Sequence, residues 1–304
     1  MLIRKICILG GTGFVGRTLA NRLTRDGYEL RILTRDRESR RQELILLPTT
    51  ELVQADVHDP TQLRENFADC DAVINLVGIL NERGRDGSGF RKAHVELTQS
   101  VIDMCRETGV RRLLQMSALN ADAENGPSHY QRTKGEAEKR VLAAESPDLH
   151  VTCFRPSVIF GNDDSFFNRF AKLLKIAPVF PLACPKARFA PVYVEDVAEA
   201  FTLALTDPDT YGKSYNLCGP HEYTLQQLAE YTAQCAGLRR IIFPLNDFLS
   251  RLQAAVFDYV PGKPFSTDNY QSATVDSVCS GSGVFVLILG ITPTAVVERW
   301  CRAI

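Results

Sequence analysis

Apolar runs alternate with amphipathic stretches through the first half of the chain. The runs predict six strands, at residues 3–9, 29–33, 51–53, 71–78, 112–117 and 150–155. Helical spacing of the apolar residues predicts helices between them, at residues 14–26, 61–67, 93–108 and 128–144. Because strands that alternate with helices at this spacing form parallel sheets, the pattern predicts an α/β fold built on a doubly wound parallel sheet.

Beyond residue 160 the pattern is less regular. It predicts helices at residues 166–174, 197–205, 224–236 and 247–259, strands at 192–194, 214–217 and 284–291, and a proline-containing loop at 178–190. We expect the sheet domain to span residues 1–160, with a return segment at 191–218. Residues 161–190 and 219–304 are expected to form a smaller C-terminal α/β lobe for a substrate or partner.

The helix predicted at 247–259 carries one apolar face. Its members are Phe248, Leu252, Val256 and Tyr259. Amphipathic helices usually turn such a face toward a core, so we expect it to pack inside the smaller lobe. Docking of a partner or a lipid tail is the alternative.

The composition is that of an ordinary globular protein, with 45% hydrophobic and 23% charged residues. The formal net charge of −1 does not favour nucleic acid as a partner. The nine cysteines are scattered without a C-x-x-C pair, so neither a metal site nor a disulfide framework is expected. This cysteine usage, with no signal-peptide pattern before the first strand, predicts a cytoplasmic protein.

A glycine-rich turn, GGTGFVG, joins the first predicted strand to the first predicted helix. Glycines at this spacing permit a tight turn, a close approach of the backbone to a pyrophosphate, and close packing of helix on strand. The free N–H groups and the dipole at the helix start favour an anion there. The turn therefore predicts a nicotinamide dinucleotide site. Its predicted contacts are Gly10, Thr12, Gly13, Phe14, Val15 and Gly16.

The end of the second strand indicates which dinucleotide is bound. An acidic residue there accepts hydrogen bonds from the ribose of NAD, whereas an arginine accommodates the 2′-phosphate of NADP. Arg35 stands at this position and predicts NADP(H), because its guanidinium can pair with a phosphate. Asp36 follows directly and would serve a ribose, and hence NAD, if the turn were shifted by one residue. Asp56 and Val57, after the third strand, are placed by position alone beside the adenine.

A second group of residues is suited to acid–base chemistry on a carbonyl or hydroxyl compound. It consists of Ser117, Tyr130 and Lys134. Tyr130 and Lys134 are four apart on one predicted helix, and Ser117 ends the preceding strand, where open α/β sheets bind ligands. A tyrosine is a poor acid at neutral pH, but a nearby lysine cation is expected to lower its pKa. The serine hydroxyl can hold a substrate oxygen. We predict these three as the catalytic residues of a carbonyl or hydroxyl reaction.

Together these residues resemble the short-chain dehydrogenase/reductase superfamily, in its extended or atypical branch. The glycine turn, Ser117 and the Y-x-x-x-K pattern carry the resemblance, which extends to RPSVIFG at 155–161 and PVYVEDVA at 191–198. It covers nearly the whole chain and implies a Rossmann fold. It also adds expected cofactor contacts, namely Asn75, Val77, Gly78, Lys134, Arg155 and Pro156.

Several stretches are more similar to one subfamily, that of the NADPH-binding accessory subunit of respiratory complex I and its bacterial relatives. They are NLVG at 75–78, SALNA at 117–121, FFNRFA at 166–171 and PVYV at 191–194. This resemblance implies a nucleotide held for a structural or assembly role, with a respiratory complex as partner and a position peripheral to the inner membrane. The chain departs from the usual pattern at Leu9, Asn75 and His94, and no role is predicted for His94.

Three functions follow from these residues. The first is an NADP-preferring oxidoreductase acting on a small carbonyl or hydroxyl substrate. The second is a non-catalytic accessory or assembly factor of respiratory complex I or of quinone metabolism. The third is a nucleotide-sugar epimerase or dehydratase, which uses the same serine, tyrosine and lysine with a transiently reduced cofactor.

Overall fold

The computed structural model describes residues 2–44, 49–279 and 290–296. Strands β1–β6 are Lys5–Leu9, Glu29–Thr34, Thr50–Gln54, Ala72–Asn75, Arg112–Met116 and His150–Pro156. Helices α1–α6 are Phe14–Arg25, Arg37–Leu44, Pro60–Phe67, Ser88–Phe90, Leu97–Thr108 and His129–Ala143, with a π-helical segment at Arg91–Glu96 before α5. The predicted alternation of strands and helices is confirmed, and α2 and α4 are added to it.

The rest of the described chain contains shorter strands and five further helices. Strands β7–β13 are Ile159–Phe160, Val179–Leu182, Arg188–Phe189, Val192–Tyr193, Lys213–Leu217, Tyr223–Thr224 and Ile241–Pro244. Helices α7–α11 are Ser165–Ile176, Val194–Thr206, Leu225–Cys235, Asp247–Phe257 and Thr267–Ser272. The segment 178–190 is not a loop throughout, because it contributes β8 and β9. Of the strand predicted at 284–291, residues 284–289 lie outside the described residues, and positions 290 and 291 belong to no strand.

The central sheet has seven parallel strands in the order β11-β6-β5-β4-β1-β2-β3. The chain starts near the middle and winds to one edge and then to the other, which confirms the doubly wound sheet. Ile6 and Ile8 of β1 pack on the side of α1 and α8, while Cys7 and Leu9 pack on the side of α5. Because helices cover both faces, these strands are apolar at consecutive positions.

The smaller lobe has a core of aromatic side chains between short strands. Strand β8 pairs with β13 in parallel, and β9 pairs with β12 antiparallel. The ring of Phe170 makes edge-to-face contacts with Phe166 and Phe180, at centroid distances of 5.2 and 6.1 Å. Such pairs add to the stability that area burial gives, so a small core can hold this lobe together.

Helix α10 turns its large apolar side chains outward. Phe248, Leu252 and Tyr259 are 72%, 51% and 73% exposed, while Ser250 and Ala254 on the opposite face are buried. The expectation that this face packs inside the lobe is therefore wrong. Periodicity shows which residues share a face but not which way the face points, and here the small residues permit the close packing. None of the helices in the three described ranges has the length and apolar character needed to cross a membrane.

A disulfide joins Cys218, at the end of β11, to Cys279. The expectation that the cysteines stay unpaired is wrong for this pair. The two residues are 61 positions apart, so the spacing of cysteines along the sequence does not predict the bond. The fold brings the two side chains together. Closing a loop of this length stabilises a chain by about 4 kcal/mol in the chain-entropy model.

The turn between β1 and α1 is shaped by two glycines. Gly10 has a φ of +78°, in the left-handed region that favours glycine. A Cβ at Gly16 would overlap the carbonyl oxygen of Gly10 and lie 2.5 Å from the Cα of Gly11. Only glycine at position 16 therefore lets α1 start this close to the strand.

We expect Gly16→Ala to lower the free energy of unfolding by about 1–3 kcal/mol. The added methyl group meets backbone atoms, which cannot move aside by a rotamer change as a side chain can. Urea denaturation followed by circular dichroism measures this. Gly27→Ala is the matched control: its Cβ would meet nothing within 4 Å, so only its φ of +88° opposes the change. An alanine at position 16 that is no more destabilising than the control would contradict the steric argument.

Candidate dinucleotide and catalytic site

The start of α1 is open to an anion. Gly13 is the N-cap and provides no capping side chain, and the first turn contains no acidic residue. The N–H of Gly13 donates to the carbonyl of Gly10 at 3.0 Å and so closes the turn. Phe14 and Val15 are partly buried, and the carbonyl of Thr12 accepts from the guanidinium of Arg17 at 3.3 Å. A helix start without a capping side chain or an acidic residue fits a diphosphate, because the first N–H groups of a helix have no partner within the helix.

Arg35 and Asp36 follow β2 and differ in their hydrogen bonding within the protein. The Asp36 carboxylate accepts from the N–H of Ser39 at 3.1 Å, and these Ser39 hydrogen bonds lower the pKa of Asp36. Arg35 is exposed, and its guanidinium makes no hydrogen bond within the described residues. At this edge the cation is therefore available to a ligand, while the carboxylate is occupied by the start of α2.

Asp56 and Val57 lie after β3. The Asp56 carboxylate accepts from the N–H of His58 at 2.9 Å, and the Asp56 N–H donates to Gln62. Val57 is buried and packs with the core on the α5 side of the sheet. Asp56 thus stabilises a turn, because its side chain bonds the backbone two residues further along the chain.

The segment after β4 packs on the glycine turn. Asn75 is buried; its amide oxygen accepts from the N–H of Val77 at 3.1 Å, and its nitrogen donates to Gln115 at 3.0 Å. A Cβ at Gly10 would lie 3.3 Å from the backbone nitrogen of Val77. Asn75 therefore fixes the backbone that passes in front of the turn.

Lys134 lies close to the same segment. Its ammonium donates to the carbonyl of Met116 at 3.1 Å, and a Cβ at Gly78 would lie 3.0 Å from its Nζ. The side chain is buried, and this burial lowers the pKa of Lys134 to about 8. The structure thus brings Gly10, Val77, Gly78 and Lys134 into one continuous region at the carboxyl edge of the sheet.

Ser117 directly follows the Met116 carbonyl that Lys134 contacts. Its N–H donates to the carbonyl of Phe154 at 2.7 Å, which ties the end of β5 to β6. Its hydroxyl is buried and has no hydrogen-bond partner in the described part of the chain. A buried hydroxyl without a partner costs free energy unless a ligand or water satisfies it, so this oxygen is free to bond a ligand.

Tyr130 lies in the first turn of α6. Its ring packs edge-to-face on Phe90 and His94, with centroid distances of 6.1 and 5.5 Å. Burial, with the carboxylate of Asp268, raises the pKa of Tyr130 to about 12. The sequence argument expected a lowered pKa; the structure reverses this, because burial dominates and the Lys134 ammonium is directed to Met116.

Arg155 and Pro156 end β6. The Arg155 guanidinium pairs with Glu138 of α6, whose carboxylate also accepts from the hydroxyl of Ser214 at 2.9 Å. Pro156 is buried, and its carbonyl accepts from the N–H of Leu119 at 2.9 Å. The structure therefore directs Arg155 into a salt bridge and gives Pro156 a part in holding the backbone after Ser117.

The site also contains two residues, His94 and Asp268, for which the sequence predicted no role. His94 is 2% exposed; its Nε2 accepts from the N–H of Ile79 at 3.2 Å, and its Nδ1 is 2.9 Å from the hydroxyl of Thr133. Burial and the nearby Lys134 lower the pKa of His94 to about 2, so the ring is neutral. The carboxylate of Asp268 accepts from the N–H of Tyr130 at 3.3 Å. Asp268 is distant in sequence and carries no local signal, whereas His94 stands in the segment that becomes π-helical.

The comparisons with known proteins agree with this architecture. The family model described as "NAD dependent epimerase/dehydratase family" matches residues 6–218. NADH dehydrogenase [ubiquinone] 1 alpha subcomplex subunit 9, mitochondrial, of Mus musculus is 29% identical over 293 residues, covering 94% of this chain and 76% of the relative. The ceramide reductase of Caulobacter vibrioides is 30% identical over 193 residues, covering 64% of this chain and 58% of the relative.

A solved structure shows the same fold. MoeE5 in complex with UDP-glucose and NAD superimposes with a TM-score of 0.74 at 18% identity, covering 97% of this chain and 95% of that one. The sheet order, the glycine turn after β1 and the matched 6–218 segment agree with one another. The chain therefore belongs to the NAD dependent epimerase/dehydratase family and has its NAD(P)-binding, Rossmann-like fold.

Proposed function

We propose that this protein is an NADP(H)-dependent reductase of a carbonyl compound, with Ser117, Tyr130 and Lys134 as its catalytic residues. The observation that carries the proposal is the buried, unpartnered hydroxyl of Ser117 beside the Met116 carbonyl that Lys134 contacts. A hydroxyl at this place can donate to a substrate oxygen. The epimerase alternative has the support of the family model and of structural neighbours that share the fold, but not of the relatives that are 29% and 30% identical to this chain.

The protonation states favour reduction over oxidation. Tyr130 keeps its proton at neutral pH, because its pKa is raised to about 12. It can therefore give a proton to the oxygen of a carbonyl as this becomes an alcohol. NADPH, when bound, supplies the hydride for the carbon. Ser117 orients the oxygen, and Lys134, whose ammonium has donors beyond the one used on Met116, holds the nucleotide.

The cofactor preference rests on the difference between Arg35 and Asp36. The Arg35 guanidinium has no hydrogen-bond partner in the described ranges, whereas the Asp36 carboxylate is bonded to Ser39. A 2′-phosphate would bond the free cation, whereas the Asp36 carboxylate already accepts a hydrogen bond at the start of α2. The arrangement therefore supports NADPH over NADH.

The substrate class is a lipophilic carbonyl compound. The support is the similarity to a ceramide reductase, a relative whose name denotes a lipid, over 64% of this chain. Phe90, which packs edge-to-face on Tyr130, is itself buried and makes the surroundings of the proposed proton donor apolar. Long-chain aliphatic ketones are the probes that this proposal selects.

A second candidate is a nucleotide-holding accessory subunit of respiratory complex I. It is favoured by the 29% identity to the mouse complex I subunit over 94% of the chain. Recovery of the protein with complex I after mild solubilisation, together with a tightly held nucleotide and no turnover, would favour this candidate over the reductase. The reductase is proposed for the cytoplasm, and the accessory subunit for a peripheral position on the inner membrane.

Arg35→Gln should weaken NADPH binding by about 10- to 100-fold, because a charge-assisted hydrogen bond to the phosphate is lost. NADH affinity should change by less than about twofold, since NADH has no 2′-phosphate. Titration of the purified protein with each reduced nucleotide measures both constants. Arg37→Gln is the matched control, an exposed arginine two positions along. Equal losses for both nucleotides would contradict the assigned contact.

Tyr130→Phe should reduce turnover of long-chain ketones by about 10²- to 10⁴-fold, since the proton donor is removed. NADPH affinity should stay within about twofold, because the ring and its packing are kept. Oxidation of NADPH in the presence of the ketone measures turnover, and Tyr28→Phe, on the other side of the sheet from α6, is the control. Undiminished turnover in the Tyr130 variant would refute the proton-donor role.

NADPH affinity should fall as the pH rises through about 8. The pKa of Lys134 is lowered to about 8, so its ammonium is present below that pH and lost above it. The loss should reach up to about tenfold for each pH unit above the pKa. Binding titrations across this range measure it, with Lys134→Met as the variant that should bind weakly and without this pH dependence. A flat profile in the unmodified protein would exclude Lys134 as a nucleotide contact.

A further inference from the structure

We propose that one face of the smaller lobe is a binding surface for an anionic lipid bilayer. This surface, called here the apolar face, consists of the outward side chains of β8, β13 and α10. Its principal members are Val179, Ile241, Phe243, Phe248, Leu252 and Val256. Soluble domains seldom expose contiguous apolar surface of this kind without an interaction partner.

The two strands contribute an outer layer that is apolar at every outward position. Val179 pairs with Ile241, and Pro181 pairs with Phe243, so these four side chains lie on the same face of the pair. Val179, Ile241 and Phe243 are 49%, 65% and 53% exposed. At the alternate positions Phe180, Leu182 and Ile242 face inward and pack with the aromatic core, while Pro244 at the end of β13 is exposed. The exposure is therefore a property of the whole outer layer and does not depend on one side chain.

Helix α10 extends this layer. It follows β13 after a short connection, and its Ser250 hydroxyl accepts from the N–H of Cys184, just beyond β8, at 3.1 Å. Gln253 donates to the carbonyl of Pro181 at 3.1 Å. These bonds hold the small-residue side of α10 against the end of β8, and Leu252 and Val256 point outward. We infer from these two bonds that the exposed side chains of the strands and of the helix lie on neighbouring parts of the surface.

Positive charge accompanies the apolar face. Residues 169–184 and 238–263 contain seven Lys and Arg residues and two Asp residues, an excess of five positive charges in a chain of net charge −1. The cations are Arg169, Lys172, Lys175, Arg239, Arg240, Arg251 and Lys263. Of these, Arg169, Arg240 and Lys263 donate to backbone carbonyls of the protein and so contribute charge from fixed positions. Both carboxylates are engaged within the protein, because Asp247 accepts from the hydroxyl of Tyr270 and Asp258 accepts from Thr267.

An anionic bilayer is the partner that matches both features. Apolar side chains enter the boundary between headgroups and acyl chains, and the surrounding Lys and Arg side chains contact the phosphates. The guanidinium of Arg85 lies 3.9 Å above the ring of Tyr259, which places an aromatic residue and a cation together at the edge of α10. A groove of about 700 Å³, lined in part by Arg239, Arg240 and Glu230, opens at the start of β13. Headgroups have room there.

Flotation of the full-length protein with lipid vesicles tests the proposal. We expect binding to phosphatidylcholine vesicles that contain phosphatidylglycerol, weaker binding at high salt, and little binding to phosphatidylcholine alone. The double variant Leu252→Glu with Val256→Glu should bind at least about tenfold more weakly. The double variant Lys175→Gln with Arg239→Gln should lose about fivefold for each charge removed.

Matched controls separate the apolar face from general surface effects. Leu203→Glu changes an exposed leucine of α8, and Arg25→Gln changes an exposed cation at the end of α1; neither should alter vesicle binding. Circular dichroism of each variant shows that it is folded, and the vesicle assay is run without nucleotide, so neither measurement depends on the reductase proposal. Absence of binding to anionic vesicles, or binding that survives the Leu252 and Val256 changes, would overturn the proposal. So would a dimer that the same changes convert to monomer.

Discussion

The close approach of α1 to β1 is the constraint on which the site depends. With no side chain at position 16, the first turn of α1 lies against the backbone of Gly10 and Gly11. The backbone at Gly10 lies in turn against Leu76 and Val77, and Gly78 lies against the ammonium of Lys134. If the distance at the first contact changed by a few tenths of an ångström, the atoms at the other contacts would shift as well. Close-packed backbone cannot absorb such a shift at one place. Phosphate turn and catalytic helix are thus positioned by one series of contacts.

Burial, more than neighbouring charge, sets the protonation of the site. It lowers the pKa of Lys134 and of His94 and raises that of Tyr130, which is the direction that desolvation gives to each type of group. The result is a neutral phenol, a neutral imidazole and a lysine that still carries its proton at neutral pH. Such a set can donate protons, which agrees with the proposed reduction of a carbonyl.

Much of the fold follows from the sequence because each local signal has one physical meaning. Apolar runs with helices between them require a sheet covered on both faces, and β1 meets that requirement at Ile6 to Leu9. The helix predicted at 224–236 forms as α9, and its start is fixed by a capping box between Thr224 and Gln227, whose bonds involve only neighbours in the chain. The glycine turn is readable for the same reason.

The remainder depends on distant partners. Arg155 ends a strand as expected, yet its pairing with Glu138 is decided by the packing of α6 on β6. The Cys218–Cys279 bond and the contact of Asp268 with the start of α6 join segments over 60 and over 130 positions apart. The pKa of Tyr130 depends on how much water its surroundings exclude. No spacing rule in a single sequence carries such information.

The apolar face and the site meet through a few contacts of the segment that follows α10. Lys263 donates to the carbonyl of Gly84, and Asn269 donates to the carbonyl of Leu80, so this segment holds the loop after β4. The carboxylate of Asp268 accepts from the N–H groups of His129 and Tyr130, and therefore caps the helix that carries the proton donor. A contact that shifts α10 acts on both walls of the site at once, because the same short stretch bonds both. The proposed bilayer surface and the proposed proton donor Tyr130 are therefore joined through one short stretch of chain, so a change at the first can reach the second through these hydrogen bonds.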